Sequence, residues 1–139
     1  MNHKFRAIMK IENPYEEAMR YINNAREDLK LAGKDGKFYV DEKYVKRACG
    51  VAYSGMLKAL DFLFTLKGLP KRKGRKSIFY YKNELSKMNR KLLNHLNNAY
   101  NILHLDGYYD GINNSKIIEE GFNDAISIIA ALKPYSKNG

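Results

Sequence analysis

The chain has 139 residues, 45% of them apolar, with one Cys, no Trp and a formal net charge of +10 from 25 Lys+Arg against 15 Asp+Glu. That length suits one domain over 1–139, and the apolar fraction excludes a disordered chain. A lone Cys excludes an internal disulfide and a thiolate zinc cluster. No run reads as a bilayer span and Met1-Asn2-His3-Lys4-Phe5-Arg6 carries no secretory pattern, so a cytoplasmic protein with no membrane partner is expected.

Residues 1–13 hold a weak apolar pattern at Phe5, Ile8, Met9 and Ile11, read as a docked extension. The first helix is expected over about 14–32. Asn13 caps it, Pro14 sits where its missing N–H costs nothing, and Glu16 and Glu17 suit the positive end of the dipole. Its apolar stripe is Tyr15, Ala18, Met19, Ile22, Ala25, Leu29 and Ala32. Glu16, Glu17, Glu27 and Asp28 fall on the other face and read as solvated. Gly33 stops the helix, and Lys34-Asp35-Gly36 reads as a turn.

The second helix, about 41–67, starts on Asp41. Its middle, Ala48 to Leu66, is apolar on most sides, so it should be central in the fold or lend a face to a second copy. Ser77 heads the third helix, about 78–105, with Leu85, Met88, Leu92, Leu96, Ala99 and Leu103 inward. The fourth, about 115–132, turns Ile118, Phe122, Ala125, Ile129 and Leu132 inward, and Pro134 ends it before a tail over 133–139. No strand pair is evident. Long helices joined by connections of about ten residues or fewer predict an all-α fold, an up-down antiparallel four-helix bundle.

The charge is localised. Residues 67–91 hold ten Lys and Arg against Glu84 alone, a net +9. Lys71, Arg72, Lys73, Arg75 and Lys76 are its densest part and the candidate site for an anion or nucleic acid; a solvated surface is the plainer alternative. The stretch is not a phosphate loop. Five residues, not four, separate Gly68 from Gly74, Arg75 follows where that loop needs Lys, and a helix precedes it where that loop needs a strand.

Arg90 and His95 form an Arg-x4-His pair. A His can act as acid or base in RNA cleavage and an Arg can stabilise charge developing on phosphate. On an unbroken helix the two point about 140° apart, so they would meet only if the helix breaks between them or a dimer brings copies together. Otherwise they are two surface residues. His104, Tyr108 and Asp110 cluster where the third helix ends. They form either a polar pocket or local turn contacts, with His104 favoured there as a cation. The histidines have no i,i+3 or i,i+4 His partner, so no metal and no cofactor is expected. Cys49 reads as a small buried residue. Asn113-Asn114-Ser115 matches a glycosylation sequon, which carries no weight without a secretion signal.

Three stretches carry a family resemblance: Tyr21-Ile22-Asn23-Asn24-Ala25-Arg26-Glu27-Asp28-Leu29, Ala48-Cys49-Gly50-Val51-Ala52-Tyr53-Ser54-Gly55-Met56-Leu57-Lys58-Ala59-Leu60, and Glu119-Glu120-Gly121-Phe122-Asn123-Asp124-Ala125-Ile126. Over about 14–132 the chain resembles the HEPN-like superfamily of helical bundles, in its degenerate bacterial members, and is similar to small uncharacterised Bacteroidetes helical proteins. The resemblance implies a helical bundle and a homodimer. It also implies one of three roles: a ribonuclease using Arg90 and His95, a partner of a nucleotidyltransferase, or a small-ligand binder. The first reading is a non-catalytic module that binds a protein or anionic partner. The alternatives are the ribonuclease and non-enzymatic nucleic-acid binding through 67–91.

Overall fold

The computed structural model of the protein describes residues 13–136; the extension expected before Asn13 lies outside them. The fold is all-α. Helix α1 (Pro14–Ala32) leads through two-residue strands β1 (Lys34–Asp35) and β2 (Phe38–Tyr39) to α2 (Glu42–Leu66). Then come α3 (Ile78–Met88), α4 (Arg90–Ala99), a π-helical segment (Tyr100–Tyr109), α5 (Ser115–Ile129) and a 3₁₀ turn (Ala130–Tyr135).

Polar residues cap the starts of α1, α2 and α5, Asn13 and Asp41 as the sequence predicts and Asn114 in addition. The Asn13 side chain accepts from the Glu16 N–H at 3.0 Å, Asp41 from the Lys43 N–H at 3.0 Å, and Asn114 from the Ile117 N–H at 3.1 Å. Ser77 stands at the head of α3, but its hydroxyl makes no capping bond.

Antiparallel packing follows from which residues meet. Along α1 and α2, Asp28 pairs with Arg47 at 3.0 Å, while Gly55 lies against Tyr21 and the Ala18 carbonyl. Along α2 and the π segment, Gly50 faces Tyr108, Cys49 faces Gly107, and Tyr53 faces His104. Along α5, Gly121 lies against Ile102 and Leu103, and Asp124 meets His95. Arg26 grips Glu119 with both guanidinium nitrogens, at 3.1 and 3.2 Å, which ties α1 to α5. From Asp28–Arg47 to Tyr21–Gly55, from Gly50–Tyr108 to Tyr53–His104, and from Gly121–Leu103 to Asp124–His95, the numbers on one partner rise as those on the other fall.

Helix α2 is central, burying Val45, Ala48, Cys49, Ala52, Met56, Ala59, Leu60 and Leu63 in one continuous core. By length and composition alone, Glu42–Leu66 is apolar enough to cross a bilayer, which the composition reading passed over; half of its most apolar stretch is buried in the fold.

Four expectations are corrected. Asp28 is buried, not solvated, and its charge is met by Arg47. The turn after Gly33 is a small antiparallel hairpin, Lys34 opposite Tyr39 and Asp35 opposite Phe38, tied to the loop before α5 by Tyr39 N–H to Asn113 O at 2.9 Å and Ser115 N–H to Lys37 O at 2.8 Å. Two residues per strand are too few for an alternating pattern. The third helix is not continuous over 78–105. Asn89 is extended at φ −162°, ψ 100°, and its side chain accepts from the Leu92 N–H at 3.0 Å, so α3 stops and α4 starts at that residue. The chain then widens into π-helix from Tyr100. Finally, α5 gives way at Ala130 to a 3₁₀ turn that runs through Pro134, so residues 133–135 are helical turn rather than tail.

Candidate functional site

The π segment organises the most unusual cluster in the molecule. Bonds from i to i+5 place more than four residues in each turn, so side chains four apart stack close to the axis direction. Tyr100, His104 and Tyr108 have that spacing. The His104 ring stacks on Tyr100 with centroids 5.3 Å apart and planes at 26°, and on Tyr108 at 6.2 Å and 16°. Tyr109 meets it edge-on at 4.9 Å. From α2, Tyr53 stacks on His104 at 4.6 Å and 23°. One imidazole thus contacts four tyrosines. Burial among them lowers the His104 pKa below its ordinary 6.5. The expectation of a His104 cation at a helix end is corrected: the helical segment runs on to Tyr109, and burial disfavours the charged ring. Burial also pushes the Tyr53 hydroxyl up to about 12, with Tyr100 adding to the shift.

His104 and Tyr108 are therefore brought together. Asp110 is not part of the cluster; it is exposed, and its backbone N–H bonds the Leu105 carbonyl at 3.1 Å.

A half-open cleft of about 460 Å³ adjoins this cluster, lined by the rings of Tyr53, Tyr81, Tyr100 and His104 together with the polar residues Arg75, Lys76 and Ser77. Its wall is set by Asp61. The carboxylate accepts from Lys76 Nζ at 2.7 Å and from the Tyr81 hydroxyl at 3.0 Å, which moors the basic connection and the start of α3 to α2. Burial, then the neighbouring Asp61, raise the Tyr81 pKa.

The basic connection divides into one neutralised residue and several free ones. Lys76 is paired. Lys71, Arg72, Lys73 and Arg75 are exposed, and no carboxylate among the described residues lies within ion-pair distance of them. Arg72 lies over the Tyr80 ring at 5.1 Å and Lys82 over Tyr100 at 4.9 Å. Phe79 is 75% exposed beside them. Arg72, Phe79, Tyr80 and Lys82 thus line one shallow surface, cations beside aromatic rings.

Arg90 and His95 both lie on α4, which is unbroken between them. Arg90 is exposed in the first turn. His95 is half-buried, with Nδ1 2.8 Å from Asp124 Oδ1. The break that would have let them converge occurs one residue too early, at Asn89. Cys49 is fully buried and its thiol is pushed up to about 12 by burial, so it is no nucleophile near neutral pH. No group of His, Cys, Asp and Glu among the described residues is arranged to hold a metal ion.

Sequence reasoning missed Tyr53, Tyr81, Tyr100 and Asp61. The signal for Asp61 was a single carboxylate inside the apolar run Ala48–Leu66. The signal for Tyr100 was its spacing of four from His104 and eight from Tyr108.

The family model described as Domain of unknown function (DUF5618) matches residues 13–133. A solved structure of a protein of unknown function from Dyadobacter fermentans is 41% identical, with a TM-score of 0.80, over 88% of this chain and 95% of that one. No curated protein matches.

Proposed function

This chain belongs to the DUF5618 family, and from its own surface we propose a non-catalytic helical module that binds an anionic partner through the face built by Lys71–Lys76 and α3. The observation that carries the reading is the set of free cations Lys71, Arg72, Lys73 and Arg75 beside exposed or half-exposed aromatic rings of Phe79, Tyr80 and Tyr100. Lysine and arginine attract phosphate, and exposed rings offer stacking surfaces to unpaired bases. Among anionic partners, single-stranded nucleic acid matches both features. An acidic protein would use the cations and leave Phe79 without a role. Fluorescence anisotropy with a labelled single-stranded RNA, repeated at several salt concentrations, tests the reading. Unchanged affinity in a Lys71→Ala, Arg72→Ala, Lys73→Ala variant would reject it.

The HEPN-type ribonuclease is the second reading. It draws on the His95–Asp124 contact at 2.8 Å, since a carboxylate can fix the tautomer of a general base. It requires Arg90 and His95 from two copies to meet. Light scattering tests the homodimer that this needs.

A further inference from the structure

We propose that the cleft between α2, the π segment and the start of α3 is a binding site for a planar aromatic molecule carrying one anionic group, its ring laid against Tyr53, Tyr100 and His104 and its anion held by Arg75 and Ser77. The proposal rests on the reading of this face as anion-binding and adds to it a pocket and a ligand size. The cleft, about 460 Å³, falls in the range of roughly 300–1,000 Å³ usual for small-molecule sites.

The lining divides the ligand into two parts. Tyr53 and Tyr100 each stack on His104, at 4.6 and 5.3 Å, and tilt against each other at 6.3 Å and 47°, so the three rings form one ordered wall. A planar ring gains apolar contact with this wall at little cost in side-chain ordering, because the wall is already ordered. Among the polar lining residues, Lys76 is neutralised by Asp61 at 2.7 Å, so it contributes shape rather than net charge. Arg75 keeps its charge, and the Ser77 hydroxyl makes no capping bond. One net cation and one free hydroxyl suit a single anionic group.

Nucleoside monophosphates and aromatic carboxylates share this chemistry, and calorimetry with the full chain separates them. The probes are adenosine 5′-monophosphate and indole-3-carboxylate, with adenosine and inorganic phosphate as the separated parts of the first and indole and acetate as those of the second. At least one conjoined probe should bind tenfold or more tightly than either of its parts. Phosphate as strong as the monophosphate, or neither conjoined probe binding, would overturn the site. Whichever probe wins names the source. The Arg75→Ala variant, at an exposed position, should weaken the winning probe about tenfold. Tyr100→Leu should weaken it while leaving inorganic phosphate unchanged, with helical circular dichroism confirming the fold; wild-type affinity in both variants rejects the assignment. Single-stranded RNA binding is measured beside it. If RNA binds in a Lys71-, Arg72- and Lys73-dependent way while both probes fail, the cleft is wrong and the surface reading stands. If RNA and both probes fail, both are wrong.

Discussion

His104 and Tyr53 lie face to face, ring centroids 4.6 Å apart and planes at 23°, and this contact joins the π segment to the central helix. It also holds the imidazole where its charged form is disfavoured. The His104 pKa is lowered in the folded protein by burial, so between that value and 6.5 the unfolded chain binds more protons than the folded one. Stability from this group is complete above pH 6.5 and falls as the pH drops through that window. Thermal melts should show a lower Tm at pH 5 than at pH 7, and a His104→Phe variant, which can stack but not titrate, should flatten the dependence. An NMR titration placing His104 above 6.5 would contradict this.

Gly107 faces Cys49 across the same pair of elements. A Cβ at Gly107 would overlap the Cys49 Sγ and Cβ. Gly107→Ala should therefore destabilise the protein by about 1–3 kcal/mol, seen as a lower Tm. Adding Cys49→Ala removes the Sγ atom and should restore part of the loss, so the pair should be non-additive. Strict additivity would show that the two positions do not touch.

Asp61 holds the basic connection in place through Lys76 and Tyr81. Asp61→Ala leaves both donors without that acceptor, with an expected cost of about 1–3 kcal/mol. The local effect is more telling. Trypsin should cut after Lys71, Arg72 or Lys73 faster in the variant than in the wild type. Equal rates would mean that Asp61 does not restrain the connection.

The ribonuclease reading is tested by RNA cleavage. The geometry places Arg90 and His95 on one unbroken helix with about 140° between them, and the account predicts no cleavage that depends on His95. Purified protein whose RNA cleavage disappears in His95→Ala would contradict it.

The helix starts at Asn13 and Asp41 were legible because a single side chain bonding one N–H decides each of them. The core was legible because Ile22, Leu85, Leu96, Leu103 and Phe122 repeat at helical spacing, and all five are fully buried. That same periodicity hid the break at Asn89. Leu85 and Leu92 are seven apart and both buried, so the stripe continues across the break as if the helix did. The π segment was hidden for a related reason. A pattern tuned to 3.6 residues per turn cannot register a wider turn, and nothing in the sequence marks Gly107 as the space for Cys49. The candidate site suffered most. Its members come from α2, the basic connection, α3 and the π segment, and only the packing of these elements brings Asp61 to Lys76 and Tyr53 to His104.

The salt dependence of RNA binding tests the central claim most directly. Each phosphate contact on a single strand contributes about −0.7 to the slope of log affinity against log salt. If Lys71, Arg72 and Lys73 each meet a phosphate, replacing all three with Ala should make the slope shallower by about 2 and weaken binding at low salt. A wild-type protein that does not bind single-stranded RNA at low salt, or a triple variant with an unchanged slope, would contradict the account.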